Sequence, residues 1–390
     1  MPYNVYLKKN EDKRIRQGFA WVYANEAAKI EGKGRNGDIA CVFDCNNSYL
    51  GKGYINHLSK ILVRIFIRDE SEPTEELFEN RIRKAKELRE KLGYGNCYRA
   101  VFSESDNLPG LIVDKYADIL CVQILTLGME LNKDKIISAL VKVFNPKGIY
   151  ERSDTASREK EGLKQFKGKL YGEFDTRTEI EENGLRMTVD LENGQKTGYF
   201  LDQKENRFAV RRYCKDAEVL DLFCNVGGFS VNAAFAGAKS VTAVDISERA
   251  LDEVKMNAKL NGFEDVIQTK CADVFEALRE YKKENRKFDV VILDPPAFCK
   301  SADDVKNAYR GYKDINILGM KLVKEGGYLV TASCTHYISI ALFEKMLKEA
   351  SAQSGVSARV TEIKTQSPDH ASLLSVEEST YLKFFVLQIV

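Results

Sequence analysis

Several aspartates follow apolar runs of this sequence at spacings that suit the binding of a nucleoside cofactor. Asp221 lies in the run at 219–223, which leads into Gly227-Gly228, and Asp245 and Asp273 follow the next two apolar stretches. Paired glycines let a ligand approach the backbone beside a helix N-terminus. Asp245, at the end of the second strand, can bind ribose hydroxyls, and Asp273, after the next apolar stretch, could reach an adenine amino group. A glycine pair alone is typical of an ordinary βα turn, whereas the ordered set favours a nucleoside cofactor; the lack of GxGxxG disfavours a dinucleotide.

Two candidate catalytic groups follow the later apolar runs. Asp294 opens the segment 294–298, whose two prolines make a rigid strand exit and whose carboxylate can accept hydrogen bonds from the amino edge of a planar base. Cys334 follows the run at 328–332, where a thiolate would face both cofactor and base, although a cysteine is commonly just a small buried hydrophobe. His336 could assist ionisation of the thiol, while a structural histidine is the commoner case. Asp294 and Cys334 are the predicted catalytic pair.

The scaffold for these groups is indicated by the regular pattern that begins near residue 217. Apolar runs at 218–223, 240–244, 289–293 and 328–332 alternate with helical stretches such as 247–261. This alternation predicts an α/β fold, a doubly wound parallel sheet that presents its ligand groups at the carboxyl ends of the strands. The apolar segment at the C-terminus has no helix after it and is predicted to return antiparallel into the same sheet.

The first 190 residues follow a different pattern. Short alternating runs separated by glycines predict a small β-barrel over residues 1–70. A helix bounded by Pro73 and Gly93 follows, and mixed strands and helices then predict an α+β middle domain. We therefore predict three domains, at 1–70, 71–190 and 191–390. The first carries 12 Lys and Arg against 8 Asp and Glu, a bias compatible with RNA contact and equally with a solvated surface.

Composition limits the classes of protein and of binding site that this sequence can represent. The 390 residues carry 59 Lys+Arg and 58 Asp+Glu, so a net charge of +1 gives no global field toward a polyanion. The sequence has no apolar run near the roughly 18 residues that a membrane span needs, and its start is too polar for a signal peptide, which predicts a soluble cytoplasmic protein with no membrane partner. Nine cysteines without a CxxC pair, and three histidines, disfavour a disulfide framework and a structural zinc.

Together, several segments resemble the 23S rRNA large subunit methyltransferase I family over essentially the whole chain. The segments that carry the resemblance are residues 196–203, 221–230, 294–296, 310–316 and Ser333-Cys334. The N-terminal barrel is similar to a PUA domain, and residues 103–111 resemble the middle domain of the family. One departure is Cys299, which lies just beyond Asp294-Pro295-Pro296 and not in a Pro-Cys dipeptide.

The resemblance implies a class I, Rossmann-like methyltransferase sheet that uses S-adenosylmethionine to methylate carbon 5 of a cytidine in 23S rRNA. It implies Cys334 as the nucleophile and suggests a homodimer. The residues that it assigns to the cofactor site are Tyr199, Gln203, Asp221, Phe223, Asn225, Gly227, Asp245, Asp273 and Asp294.

Two rival functions stay open at the level of sequence. One is a methyltransferase of the same fold that acts on a base nitrogen, a reaction that needs no thiolate, so Cys334 argues against it. The other is a non-catalytic RNA-binding scaffold that merely holds cofactor. The presence of both Asp294 and Cys334 argues against that role.

Overall fold

The computed structural model describes residues 3–69, 71–299 and 301–390, which form two compact units. The first unit comprises residues 1–180, 189–201 and 368–377, and the second comprises 181–188, 202–367 and 378–390. Each unit therefore includes segments that are distant in the sequence.

The first unit contains two sheets. One is six-stranded, in the order β2-β6-β5-β4-β1-β3, and the other is five-stranded, in the order β11-β10-β9-β8-β7. The strands are β1 (Tyr3–Leu7), β2 (Trp21–Tyr23), β3 (Ala27–Glu31), β4 (Ile39–Phe43), β5 (Tyr49–Ile55), β6 (Ile61–Ile67), β7 (Cys97–Phe102), β8 (Leu111–Tyr116), β9 (Ile119–Ile124), β10 (Gly148–Ser153) and β11 (Phe166–Tyr171). The helices are α1 (Asp12–Arg16), α2 (Glu75–Lys91), α3 (Leu127–Leu131) and α4 (Lys133–Phe144).

Helix α2 begins where its sequence predicts, because the Thr74 side chain accepts a hydrogen bond from the Leu77 amide and caps the first turn. Its apolar face buries Phe78 and Ile82 in one core with the residues of the five-stranded sheet. The predicted mixture of helices and strands in this part of the chain is confirmed.

A two-stranded sheet of β12 (Arg177–Glu182) and β13 (Leu185–Asp190) precedes the second unit's main sheet in sequence. That sheet has seven strands in the order β16-β15-β14-β17-β18-β20-β19. The strands are β14 (Glu218–Leu222), β15 (Ser240–Asp245), β16 (Ile267–Cys271), β17 (Phe288–Leu293), β18 (Val323–Ser333), β19 (Ala358–Lys364) and β20 (Lys383–Ile389). The helices are α5 (Lys204–Val210), α6 (Gly228–Phe235), α7 (Glu248–Leu260), α8 (Val274–Lys283), α9 (Val305–Leu322) and α10 (Ile340–Ser354).

Strands β14 to β18 are parallel, and their aliphatic side chains are almost completely buried. Helices α8, α9 and α10 bury Leu278, Tyr312 and Phe343 in one core with these strands. β20 runs antiparallel between β18 and β19, as predicted for the C-terminal segment. The predicted doubly wound α/β sheet is therefore confirmed, while the division into domains at residues 70 and 190 stays a prediction.

Within the described ranges, no helix combines the length and apolarity that a membrane crossing requires.

Candidate active site at the carboxyl edge of the seven-stranded sheet

The turn after β14 has a backbone shape that few side chains tolerate. Phe223, Asn225 and Gly227 have positive φ angles of 62°, 49° and 83°. A Cβ atom on Gly227 would lie 3.0 Å from Val254 Cγ1, so the position needs glycine for both its angle and its space. Gly227 directly precedes α6, so the turn sets the first amide groups of that helix at the end of β14. The predicted arrangement of strand, glycine turn and helix is confirmed.

Asp221 is a buried carboxylate with one oxygen left open. Its side chain has no exposed surface, and the Ser230 hydroxyl donates to Oδ2 over 2.6 Å. Oδ1 has no hydrogen-bond partner within the part of the chain that the structure describes. Burial, together with the charges of Asp294 and Asp245, raises the pKa of Asp221 to about 7, and the hydrogen bond from Ser230 opposes this shift. The open oxygen suits a cationic donor, because an unpaired buried carboxylate is costly.

Replacing Asp221 by Asn should make the ligand-free protein more stable at alkaline pH. With a folded pKa of about 7 against the usual 3.8, the folded state keeps a proton that the unfolded state has released, so stability falls as pH rises between these values. Asn carries no such charge, and the gain in the free energy of unfolding at pH 8 should be ~2–4 kcal/mol. Urea unfolding at pH 5 and pH 8 measures it.

Asp289→Asn is the matched control for that experiment. Burial favours the neutral carboxyl there too, but hydrogen bonds from the Glu218 amide and Lys324 hold the pKa of Asp289 below its usual value. Neutralising it should lower stability at neutral pH, the opposite sign. Equal effects of the two variants at pH 8 would contradict the assignment of a buried charge to Asp221.

Asp245 is the last residue of β15, and Asp273 lies between β16 and α8. Each oxygen of Asp245 accepts one backbone N–H, from Asn225 and from Ser247, both over 3.0 Å, so this carboxylate holds the glycine turn against β15. Asp273 accepts from the Glu276 amide over 3.1 Å and caps helix α8. The Asp-x-x-Glu spacing is a capping signal that the sequence analysis passed over. Carboxylate oxygens have further lone pairs, so both side chains can still accept from a ligand.

Asp294 is held by an amide chain that the sequence did not reveal. Gln203 Nε2 donates to Asp294 Oδ1 over 2.8 Å, and Asn206 Nδ2 donates to Gln203 Oε1 over 2.7 Å. Asn206 and Gln203 are buried, so these two hydrogen-bonded amides fix the direction of the half-buried Asp294 carboxylate. Gln203, predicted as a cofactor contact, therefore also positions the candidate catalytic aspartate.

Cys334 follows β18, the direct neighbour of β17, which ends one residue before Asp294. Leu293 pairs with Thr331 in the parallel ladder, so the two chain segments leave the sheet side by side. The thiol of Cys334 is partly accessible, whereas Cys299 is only 4% exposed, lies in the apolar core and donates to the Ser301 carbonyl over 3.0 Å. The sheet thus separates the two cysteines that the sequence left in competition. His336 is exposed and its ring contacts that of Tyr337.

Two other cysteines lie near the same edge of the sheet. Cys224 is buried, and burial raises the pKa of its thiol well above the usual value. Cys271 ends β16, which lies three places from β17 in the sheet. Neither shares the position of Cys334 beside Asp294.

Tyr199 belongs to the first unit, where it is buried and the Tyr116 hydroxyl donates to its carbonyl over 3.3 Å. Its place in the cofactor site stays a prediction.

Lys383 was missed by the sequence analysis. It is only 1% exposed and pairs with Ser333 across β18 and β20. Its ammonium donates to the Tyr381 carbonyl over 2.7 Å and also to the Thr335 carbonyl. A single lysine in the apolar run at 381–387 was a visible signal, because an unpaired lysine is rarely buried without a function.

Carboxylates dominate this edge of the sheet. Asp245 and Asp294 lie close enough for their charges to act on Asp221, and Asp273 follows β16. Such a site favours a cationic ligand with hydroxyl and amino donors, which describes a sulfonium nucleoside that carries an ammonium group.

Comparison with known proteins agrees with this chemistry. The family model of S-adenosylmethionine-dependent methyltransferases matches residues 166–383, and that of a PUA-like domain matches residues 5–68. A Ribosomal RNA large subunit methyltransferase I from Alteromonas mediterranea is 41% identical over 395 residues, covering 100% of this chain and 99% of that protein.

Solved structures show the same fold. A SAM-dependent methyltransferase from Streptococcus mutans superposes with a TM-score of 0.85 at 21% identity, over 100% of both chains. A second methyltransferase, solved in complex with SAH, gives a TM-score of 0.87 at 21% identity, also over 100% of both chains.

Proposed function

The chain belongs to the ribosomal RNA large subunit methyltransferase I family, and we propose that it transfers a methyl group from S-adenosylmethionine to carbon 5 of a cytidine in 23S rRNA. The observation that carries the proposal is the placement of Cys334 and Asp294 at the ends of the neighbouring strands β18 and β17. A base nitrogen can be methylated without a thiol, whereas carbon 5 of cytosine is too weak a nucleophile to react alone.

The two side chains divide the work on the base. The thiolate of Cys334 adds to carbon 6, its electron pair forming the S–C bond while the ring pair becomes an enamine at carbon 5. Asp294 contacts the N3 edge and stabilises the protonated ring, a role for which the Gln203 amide fixes its direction. Carbon 5 would form the new C–C bond with its enamine electron pair to the methyl group that bound S-adenosylmethionine would supply, while the methyl–sulfur bond breaks and its electron pair stays on sulfur. Loss of the carbon 5 proton then returns the electron pair to the ring and expels the thiolate.

The cofactor residues are proposed from the same edge of the sheet. The glycine turn at Phe223, Asn225 and Gly227 allows close approach, Asp221 offers its open oxygen to the ammonium group, and Asp245 accepts from the ribose hydroxyls. Asp273 and Asp294 complete the acidic edge, and Gln203 flanks it. Tyr199 is proposed as a cofactor contact from the family resemblance.

Asp245→Ala should weaken S-adenosylmethionine binding on the order of tenfold to a hundredfold, because it removes a charged acceptor and frees the Asn225 amide of the turn. Isothermal titration calorimetry measures the affinity, with Asp252→Ala on the exposed side of α7 as the control. An unchanged affinity in Asp245→Ala would contradict the assignment of Asp245 to the cofactor site.

The six-stranded sheet of the first unit is the proposed RNA contact. A cleft of about 530 Å³ on this sheet is lined by Lys8, Lys9 and Lys29, and also by the carboxylates of Glu31 and Asp44. Lysines neutralise phosphates, and because Lys29 already pairs with Glu31, Lys8 and Lys9 are the proposed phosphate contacts. From the family resemblance we also propose that the protein is a homodimer. Light scattering of the purified protein tests this oligomeric state.

Release of the carbon 5 hydrogen tests the function directly. With 23S rRNA that carries [5-³H]cytidine, the protein and S-adenosylmethionine should release tritium into water in proportion to methyl groups transferred. A nitrogen-directed methyltransferase transfers methyl groups without releasing tritium, and a non-catalytic scaffold neither transfers methyl groups nor releases tritium.

In the same assay, Lys8→Ala/Lys9→Ala should raise the KM for RNA without changing the KM for the cofactor. The pair Lys282→Ala/Lys283→Ala on α8 is the control.

A further inference from the structure

Lys383 is a buried cation that pairs with no carboxylate in the described part of the chain. None of the ion pairs among the described residues includes its ammonium, whose hydrogen bonds go to the carbonyls of Thr335 and Tyr381. Two carbonyls use two of its three N–H donors. A buried lysine in this state loses much of its hydration and calls for a nearby negative charge.

The group that can supply that charge is Cys334. Burial lowers the pKa of Lys383 to about 8, and the charge of an ionised Cys334 raises it, so the two groups lie within electrostatic range of each other. The register agrees with this proximity: Lys383 lies opposite Ser333 across β18 and β20, and Cys334 is the next residue of that chain segment. Its ammonium also reaches the Thr335 carbonyl on the far side of Cys334.

Three other titratable groups among the described residues lie near Cys334. Tyr312 reaches the site from α9; burial raises the pKa of its hydroxyl, as do the charges of Cys334 and Asp294, so it stays neutral. Asp294 approaches from the end of β17, and its negative charge opposes a second one. His336 is exposed beside Tyr337. Lys383 on β20 is a described cation whose charge can offset the negative charges of both Asp294 and an ionised Cys334.

We propose that Lys383 is a positioning residue for the nucleophile, whose ammonium holds Cys334 in its thiolate form. When Lys383 is neutral, ionisation moves the proton from Sγ of Cys334 to Nζ of Lys383; the S–H bond breaks, an N–H bond forms and the electron pair stays on sulfur. The role deepens the proposed carbon 5 chemistry and rests on it for its purpose. The ion pair itself exists whichever atom the protein methylates.

Alkylation of Cys334 by iodoacetamide reports its thiolate without any methyl transfer. The full-length protein is treated at pH 5 to 10, and mass spectrometry of the peptide that contains Cys334 gives the rate at this cysteine alone. Lys383→Met keeps much of the side-chain volume and removes the charge. It should move the midpoint of the rate profile up by about one pH unit and slow alkylation at pH 7 about tenfold.

Two variants separate charge from packing. Lys383→Arg restores a cation and should recover most of the rate at pH 7, whereas Ser333→Ala, which alters the paired residue without changing charge, should leave the profile within about twofold. The same midpoint in Lys383→Met and the unaltered protein would overturn the proposal. If methyl transfer survives Cys334→Ala while the alkylation profile still depends on Lys383, the carbon 5 chemistry fails and the ion pair stands.

A reciprocal measurement covers the case in which Lys383→Met does not fold. In Cys334→Ala the partly accessible thiol is replaced by a smaller group, and the negative charge that favours the ammonium is gone. Lys383 should then lose its proton at lower pH than in the unaltered protein, as observed from its ¹⁵Nζ resonance by NMR. A titration of Lys383 that does not respond to Cys334→Ala would equally overturn the proposal.

Discussion

Cys334→Ala should abolish methyl transfer to rRNA while S-adenosylmethionine binds with unchanged affinity. Without the thiolate, carbon 5 of the base has no enamine form, and we expect the rate to fall by on the order of 10³-fold or more. The side chain lies beyond the end of β18 and is partly accessible, so its truncation leaves the strand and the core in place. Single-turnover methylation and calorimetric titration of the cofactor measure the two effects separately.

Cys299→Ala is the matched control, because this second cysteine near Asp294 is buried in the core and directed at the Ser301 carbonyl. It should reduce stability by about 1 kcal/mol and leave the chemistry of the folded fraction unchanged. RNA with 5-fluorocytidine at the target should trap the unaltered protein covalently, since fluorine cannot leave as a proton. Methylation by Cys334→Ala near the normal rate would favour a nitrogen-directed enzyme, and trapping through Cys299 would move the nucleophile.

Asp294→Asn should lower the methylation rate by about 10² to 10⁴-fold, the usual contribution of a positioned acid or base, with a much smaller effect on cofactor affinity. An amide cannot balance the charge of the base that is protonated at N3. The substitution is nearly isosteric, and Gln203 can still donate to the remaining carbonyl oxygen. Methylation rates at saturating RNA and cofactor measure the loss.

The same variant has a second readout that a merely structural role would not move. Because the charge of Asp294 raises the pKa of Asp221, its removal should lower that pKa and reduce the pH dependence of stability between pH 5 and 8. Asp303→Asn, on the exposed surface before α9, should change neither rate nor pH dependence. A normal methylation rate in Asp294→Asn would remove this residue from the chemistry.

Local patterns of the sequence were sufficient to predict the main strands and helices of the second unit. Buried aliphatic runs that alternate with capped helices determine parallel strands and their connections. The glycine pair follows β14, Asp221 and Asp245 lie in the last two residues of β14 and β15, and Asp273 and Asp294 follow β16 and β17, for the same reason. In the first unit, the helix that follows Thr74 likewise begins at the cap that its sequence shows. Each of these features depends on residues that are neighbours in the chain.

Strand order and burial had to be decided by the tertiary structure. The separation of Cys334 from Cys299 depends on which one the core covers, and the contact of Gln203 with Asp294 joins segments that no local pattern connects. The strand β19 and the pairing of Lys383 with Ser333 likewise arise only when the C-terminal chain enters between β18 and β19. The sequence by itself determined which residues are candidates for chemistry, because residue type and local spacing are encoded along the chain. The partners and charge states of those residues were decided by packing, because desolvation and pairing depend on neighbours that are brought together only by the folded sheet.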